Sequence, residues 1–175
     1  MRRLRSLSGM GARALEFAIL TAARSGEVRG ATWIEIDIAA ALWTVPADRM
    51  KSGREHRVPL SKAAIKMLRA LPRGGPVDLV FPGMRGPLSD MSLTAVLRRM
   101  DVAATAHGFR SSFRDWVAEY TDYASEVAEM ALAHAVGDKV EAAYRRGDLF
   151  EKRVSLMSDW AAFLAWVRPL SSAKR

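Results

Sequence analysis

Apolar residues at Leu15, Ala18, Ile19 and Ala22 fall at i, i+3, i+4 and i+7, and Phe17 and Leu20 occupy other faces, so the spacing predicts a helix buried nearly all round that carries the chain inward to Arg24. After a short second helical piece the pattern changes. Trp33-Ile34-Glu35-Ile36-Asp37, Leu42-Trp43-Thr44-Val45-Pro46 and the stretch from Arg54 to Leu60 are β-rich runs, and with the turns between them they predict a small three-stranded antiparallel sheet. Lys51 falls in the connection Arg49-Met50-Lys51-Ser52-Gly53, at the tip of the second hairpin.

Helical spacing then returns. Ser61 is an N-cap for a helix from Lys62 to about Leu71, which Pro72 and Gly74-Gly75-Pro76 close; that Gly/Pro stretch reads as a loop, with no domain boundary. Ser89 or Asp90 opens a helix through about Met100, with Leu93, Val96 and Leu97 at core spacing. Further helices fit Phe109 to Glu119, Glu126 to His134, Val140 to Tyr144, and Phe150 to about Val167. On the last helix Phe150, Val154, Met157, Ala161, Leu164 and Val167 form a stripe, with Trp160 beside it. It is expected to pack on its own domain; docking on a neighbouring protomer is the alternative. The fold class is α+β, mainly α-helical with one small antiparallel sheet.

Composition narrows the partners. With 175 residues, half of them hydrophobic, the chain is long enough for one domain with a real core. The 27 Lys and Arg against 19 Asp and Glu give a formal charge of +8, which suits a polyanion, although many ordinary domains are mildly basic. Cysteine is absent, which excludes disulfides and thiolate metal sites and fits a reducing cytoplasm. Met1-Arg2-Arg3-Leu4-Arg5 imitates the start of a secretory signal, but Arg13 and Glu16 interrupt the apolar stretch that follows. The longest apolar run, Phe17 to Ala23, is far short of a membrane span. A soluble protein is expected.

The chemistry is concentrated in a few positions. In the run His107-Gly108-Phe109-Arg110, the histidine and arginine stand three apart, so on a helix they share a face and can reach one small anion. His134 and Tyr144 follow, with Arg24 and Lys51 far upstream. Two guanidiniums, one ammonium, two imidazoles and a phenol can attack a phosphodiester without a metal: the arginines neutralise non-bridging oxygens and the phenol is a covalent nucleophile. Each also has an ordinary structural reading. Arg24 can complement a helix end or pair with Glu27, Lys51 can be solvated, His107 can cap a helix, and His134 and Tyr144 can be plain helix residues. His56 reads as structural, and Arg114 as solvated or paired with Glu119. The three histidines show no metal-ligand spacing, and no acidic cluster suggests a metal-dependent nuclease.

With these residues the chain resembles the tyrosine recombinases, and most closely the catalytic domain of phage and genomic-island integrases. The resemblance runs from Leu15-Glu16-Phe17-Ala18-Ile19-Leu20-Thr21-Ala22-Ala23-Arg24-Ser25-Gly26-Glu27 through Arg57-Val58-Pro59-Leu60-Ser61 and Val80-Phe81-Pro82-Gly83 to His107-Gly108-Phe109-Arg110, Ala133-His134 and Ala142-Ala143-Tyr144-Arg145-Arg146. It implies the fold of the DNA breaking-rejoining enzymes and a site of Arg24, Lys51, His107, Arg110, His134 and Tyr144. Tyr144 would be the nucleophile, Lys51 the general acid, Glu27 the buttress of Arg24, and His134 a donor to the scissile phosphate. Tyr120 and Tyr123 precede His134 and fall outside that order.

The resemblance further implies a 3′-phosphotyrosyl intermediate, no cofactor, and double-stranded DNA attachment sites as partners. Four protomers would assemble on DNA, with room for accessory DNA-bending or directionality factors; the state of the free chain stays open. Residues 1–175 are expected to form a single C-terminal catalytic domain, with the family's N-terminal core-binding and arm-binding domains absent. The alternatives are a non-catalytic DNA-binding remnant of an integrase and a type IB topoisomerase-like enzyme.

Overall fold

The computed structural model describes residues 1–134 and 147–166. In chain order the described elements are helices α1 (Arg2–Arg5), α2 (Met10–Thr21) and α3 (Ser25–Arg29), strands β1 (Ile36–Asp37), β2 (Leu42–Val45) and β3 (His56–Pro59), and helix α4 (Lys62–Arg69). A two-stranded turn, β4 (Pro82–Gly83) with β5 (Gly86–Pro87), leads to α5 (Ser92–Arg99), α6 (Gly108–Tyr120), α7 (Ser125–Ala131) and α8 (Phe150–Trp166). The mostly helical architecture with a small antiparallel sheet is the expected class. None of the described helices is long and apolar enough to cross a membrane.

Helix α2 is the axle. Ala12 and every residue from Ala14 to Thr21 are buried, and α1, α3, α4, α5 and α8 all pack against it. Such a position tolerates one charge only if it is answered. Glu16 is buried between Arg5 Nε at 2.7 Å and Arg13 Nη1 at 2.8 Å, and Arg13 also donates to the carbonyls of Leu4 and Leu7. The short α1, absent from the sequence reading, is fastened to the core through this carboxylate.

The sheet has the order β1-β2-β3, with Trp43 opposite Val58 and Val45 opposite His56. Trp43 and Val45 point inward, and Trp43 packs on Phe17 of α2 with ring centroids 5.2 Å apart. The first strand is shorter than its β-rich sequence suggests. Trp33–Glu35 forms a 3-10 turn because Glu35 is drawn inward by Thr32, the Trp43 indole and Arg49, leaving only Ile36–Asp37 to pair. Arg54 and Glu55 are exposed, and β3 begins at His56.

Helix ends differ from expectation for local reasons. Ser61 does cap α4, accepting from the Ala64 amide. Helix α7 stops at Ala131 rather than His134. The His134 amide donates to the Glu129 carbonyl (2.9 Å), the Ala133 amide to that of Met130 (3.1 Å), and Ala133 is left-handed at φ 50°. That is a Schellman closure with alanine where glycine is usual. On α8 the buried stripe is Arg153, Leu156, Met157, Trp160 and Ala161, rotated from the expected one; Val154 is exposed. The rotation puts Trp160 against Phe113 (5.3 Å) and Trp116 (5.1 Å), with its indole donating to the Ile19 carbonyl at 2.8 Å. The described part of α8 therefore packs on its own domain. The helix expected over Val140–Tyr144 and the stripe position Val167 lie outside the described residues.

Candidate active site

The site forms where three helix ends meet the hairpin between β2 and β3. Helix α2 closes at Ala22, which is left-handed at φ 52°, and the chain turns at once into α3 with Arg24 as its N-cap residue. Glu27, one turn into α3 and buried, accepts from both the Arg24 amide (2.9 Å) and its Nη1 (2.8 Å). Backbone and side chain of Arg24 are thus held by one carboxylate. Its Nη2 reaches toward the Ala133 carbonyl at 3.5 Å.

Arg110 lies in the first turn of α6, its amide bonded to the His107 carbonyl, and is 4% exposed. A guanidinium so deep needs acceptors, and helix C-termini provide them. Arg110 donates to the Ala22 carbonyl at the end of α2 and to the Leu132 carbonyl at the end of α7 (2.7 Å), while Nη2 meets His134 Nε2 at 3.2 Å. Its buried Nε has no partner among the described residues. Burial, and after it the nearby Arg24 guanidinium, lowers its pKa to about 10, which leaves it cationic at neutral pH.

His134 is oriented from its other side. Nδ1 lies 2.7 Å from Glu129 Oε2, and the other carboxylate oxygen takes Arg114 Nε at 2.5 Å. In the tautomer whose Nδ1–H donates to Glu129, Nε2 accepts from Arg110. Burial opposes ionisation of Glu129, but the hydrogen bonds from Arg114 and His134 outweigh it and hold the carboxyl below its ordinary range. From sequence, Arg114 is expected to be solvated or to pair with Glu119. The structure corrects this to Glu129, because Arg114 sits one helical turn beyond Arg110 and faces α7. Glu129 itself was missed; its signal is the five-residue offset to His134 across a helix end.

The front of the site is open. Arg24, Ser25, Gly26, Glu27, Arg49, Lys51 and His107 line a cavity of about 370 Å³. Lys51 and His107 are exposed, and the start of α6 is capped by Thr105, whose hydroxyl accepts from the Gly108 amide at 2.9 Å, which leaves the His107 ring unused as a cap. A larger cavity of about 680 Å³ is lined by Trp33, Ile34, Asp37, Arg69 and Arg73 among others, and none of the expected site residues lines it.

Two further groups border the site. His56 on β3 is half-buried; desolvation first, then Arg153, push its pKa down to about 4 against the pull of Glu27 and a hydrogen bond to the Ala131 carbonyl, so it is a neutral ring between sheet and α7. Arg153 of α8 is buried and donates to the Arg57 carbonyl of β3 (2.6 Å) and to the carbonyl and carboxylate of Asp148, tying the start of α8 to the sheet. Tyr144 lies outside the described residues. Tyr123 donates to Asp159 at 2.7 Å, and burial together with that carboxylate raises its pKa to about 12, an unsuitable state for a nucleophile. No cluster of His, Asp and Glu able to hold a metal occurs among the described residues.

The fold is shared with a solved structure, the integrase from mycobacterium phage Brujita, which superposes with a TM-score of 0.72 over 98% of this chain and 58% of that one, at 18% identity. Residues 3–148 match the Phage integrase family, and the chain belongs to it. Among curated relatives, the prophage integrase IntA of Escherichia coli K12 is 36% identical over 149 residues, 82% of this chain and 36% of that protein. The prophage integrase IntZ of the same strain is 35% identical over 153 residues, 85% of this chain and 38% of the relative. The integrase of enterobacteria phage P4 is 31% identical over 172 residues, 86% and 39% of the two chains. The chain thus spans less than two-fifths of these relatives.

Proposed function

We propose that this chain carries the cleavage and rejoining chemistry of a site-specific DNA recombinase, integrating or excising a mobile element. The observation that carries the reading is that Arg24, Lys51 and His107 face one cavity, while Arg110, bonded to His134, lies close enough to Arg24 for the two guanidiniums to repel. Such an arrangement suits one phosphodiester. Arg24 and Arg110 neutralise its non-bridging oxygens, and a preorganised donor of this kind is worth roughly 2.7–4 kcal/mol in the transition state. When a phosphate takes the place of the Arg110–His134 contact, His134, protonated at both nitrogens, presents Nε2–H to a phosphate oxygen.

In the proposed step the Tyr144 oxygen bonds to phosphorus as the bond to the deoxyribose O5′ breaks. His107 takes the phenolic proton or binds a phosphate oxygen, and the Lys51 ammonium delivers a proton to the departing O5′. The products are a 3′-phosphotyrosyl link and a free 5′-hydroxyl, and attack by a partner strand's hydroxyl on that link reverses the chemistry without a nucleotide cofactor. Paired attachment sites, four protomers on DNA, accessory bending factors and a cytoplasmic setting complete the proposal.

The test is covalent trapping on DNA duplexes. A denaturation-resistant protein–DNA adduct that disappears in Tyr144→Phe is the expected result. DNA binding without any adduct would sink the catalytic reading in favour of a binding-only remnant.

A further inference from the structure

We propose that Arg49 is a positioning residue for the general acid, clamping the β2–β3 hairpin to α3 so that Lys51 is delivered to the leaving oxygen; this rests on the strand-cleavage reading above. Lys51 is exposed and stands two residues beyond Arg49; Met50 between them is buried in the core and its carbonyl accepts from the Gly53 amide (2.9 Å), which seats the backbone beside Lys51 and leaves the base of the hairpin to be fastened by Arg49. The Arg49 guanidinium crosses from the hairpin base to the neighbouring layer. It donates to the Glu35 carboxylate with one nitrogen and to the Glu27 backbone carbonyl with the other.

Both acceptors are themselves fixed. The Glu35 side chain is 7% exposed and also accepts from the Trp43 indole (2.9 Å) and the Thr32 hydroxyl (3.1 Å), which anchors it to the core side of the sheet. Glu27 is the residue whose carboxylate holds Arg24. A single guanidinium therefore sets the hairpin against the same residue that sets the phosphate-binding arginine. Misplacement of a catalytic group by about 1 Å can cost ~10²-fold, so a long side chain on a hairpin gains most from such an anchor.

Gly30 supplies an independent sign that the path is built. A Cβ there would stand 2.8 Å from Arg49 Nη2, inside contact distance, so a side chain at Gly30 would make the guanidinium shift away from its present partners. The absent side chain at Gly30 is the channel through which Arg49 reaches Glu27.

The experiment exploits the leaving group. A bridging 5′-sulfur departs as a thiolate, whose conjugate acid has a pKa of about 8.5, and needs no proton, whereas a 5′-oxygen does. The full chain is incubated with a duplex pool randomised in sequence around one scissile linkage, either oxygen- or sulfur-bridged, and covalent adduct is timed. Lys51→Ala should lose about 10²–10⁴-fold on oxygen and little on sulfur. Arg49→Met should lose about 10–10²-fold on oxygen and stay within about twofold on sulfur, with Gly30→Ala following the same pattern more weakly.

Because the sulfur rate reports an intact fold and phosphate site, equal losses on both linkages, or none on either, would overturn the Arg49 assignment. Failure of sulfur to restore Lys51→Ala would remove the general acid and the clamp together. No adduct from the unmodified chain on either pool would overturn the cleavage reading itself.

Discussion

The back and the front of the site are built by opposite means. At the back, Arg110 and His134 are fixed by backbone carbonyls and by Glu129, groups that the helix ends of α2 and α7 present whether or not a substrate is there. At the front, Lys51 and His107 are exposed and face a cavity, and their placement is inherited from the elements that carry them. The back should behave as part of the protein's stability and the front as part of its activity alone. Preorganised charge costs folding energy only where it is desolvated.

Arg110→Met gives the largest expected effect and the sharpest test of that contrast. It strips donors from two buried carbonyls and should lower unfolding free energy by about 3 kcal/mol, read from urea denaturation, besides abolishing adduct formation. A stability change near zero would break the comparison. Lys51→Ala is the mirror image: DNA cleavage falls, while unfolding stays within about 0.5 kcal/mol of the unmodified chain.

Acid should find the boundary between the two regions. His56 has a pKa of about 4 in the fold and about 6.5 unfolded, so the unfolded chain takes up the proton first. Stability is therefore complete above about pH 6.5 and falls between 6.5 and 4, by up to roughly 3 kcal/mol. His56→Gln should flatten the stability–pH curve in that window, and an unchanged curve would show that other groups carry the acid sensitivity. The smallest expected effect is that of Arg114→Ala. Its partly exposed pair with Glu129 should contribute about 1 kcal/mol or less, and ¹⁵N shifts should show whether His134 retains its Nδ1–H tautomer without it.

The helical frame was legible because periodicity reports burial: Leu15, Ala18, Ile19 and Ala22 sit where their spacing puts them. Ser61 announced its helix through hydrogen-bond chemistry that is local in sequence. What the pattern could not show is which polar residue a distant backbone would recruit. Glu35 stands in a β-rich run yet bends into a turn to meet Arg49, fourteen residues on. Arg153 occupies a core stripe that apolar spacing assigned to Val154, because the Arg57 carbonyl and Asp148 satisfy it. Within the site, Arg24, Glu27, Lys51, His107, Arg110 and His134 were nameable from residue type and resemblance. Glu129 was not, because its role exists only once α7 closes on itself and presents His134.

The Arg110 bonds span 88 residues to Ala22 and 22 to Leu132, and this separation bears on when the site comes into being during folding. Until the end of α2 and the Schellman turn of α7 have both docked beside α6, the guanidinium has no fixed direction. Contacts so distant in sequence close late, after the local helices have formed. A φ-value near zero is expected at Arg110 from folding and unfolding rates. Partly folded chains would then carry the cationic residues without a common direction, and the proposed capacity to break DNA would arrive only with the finished core.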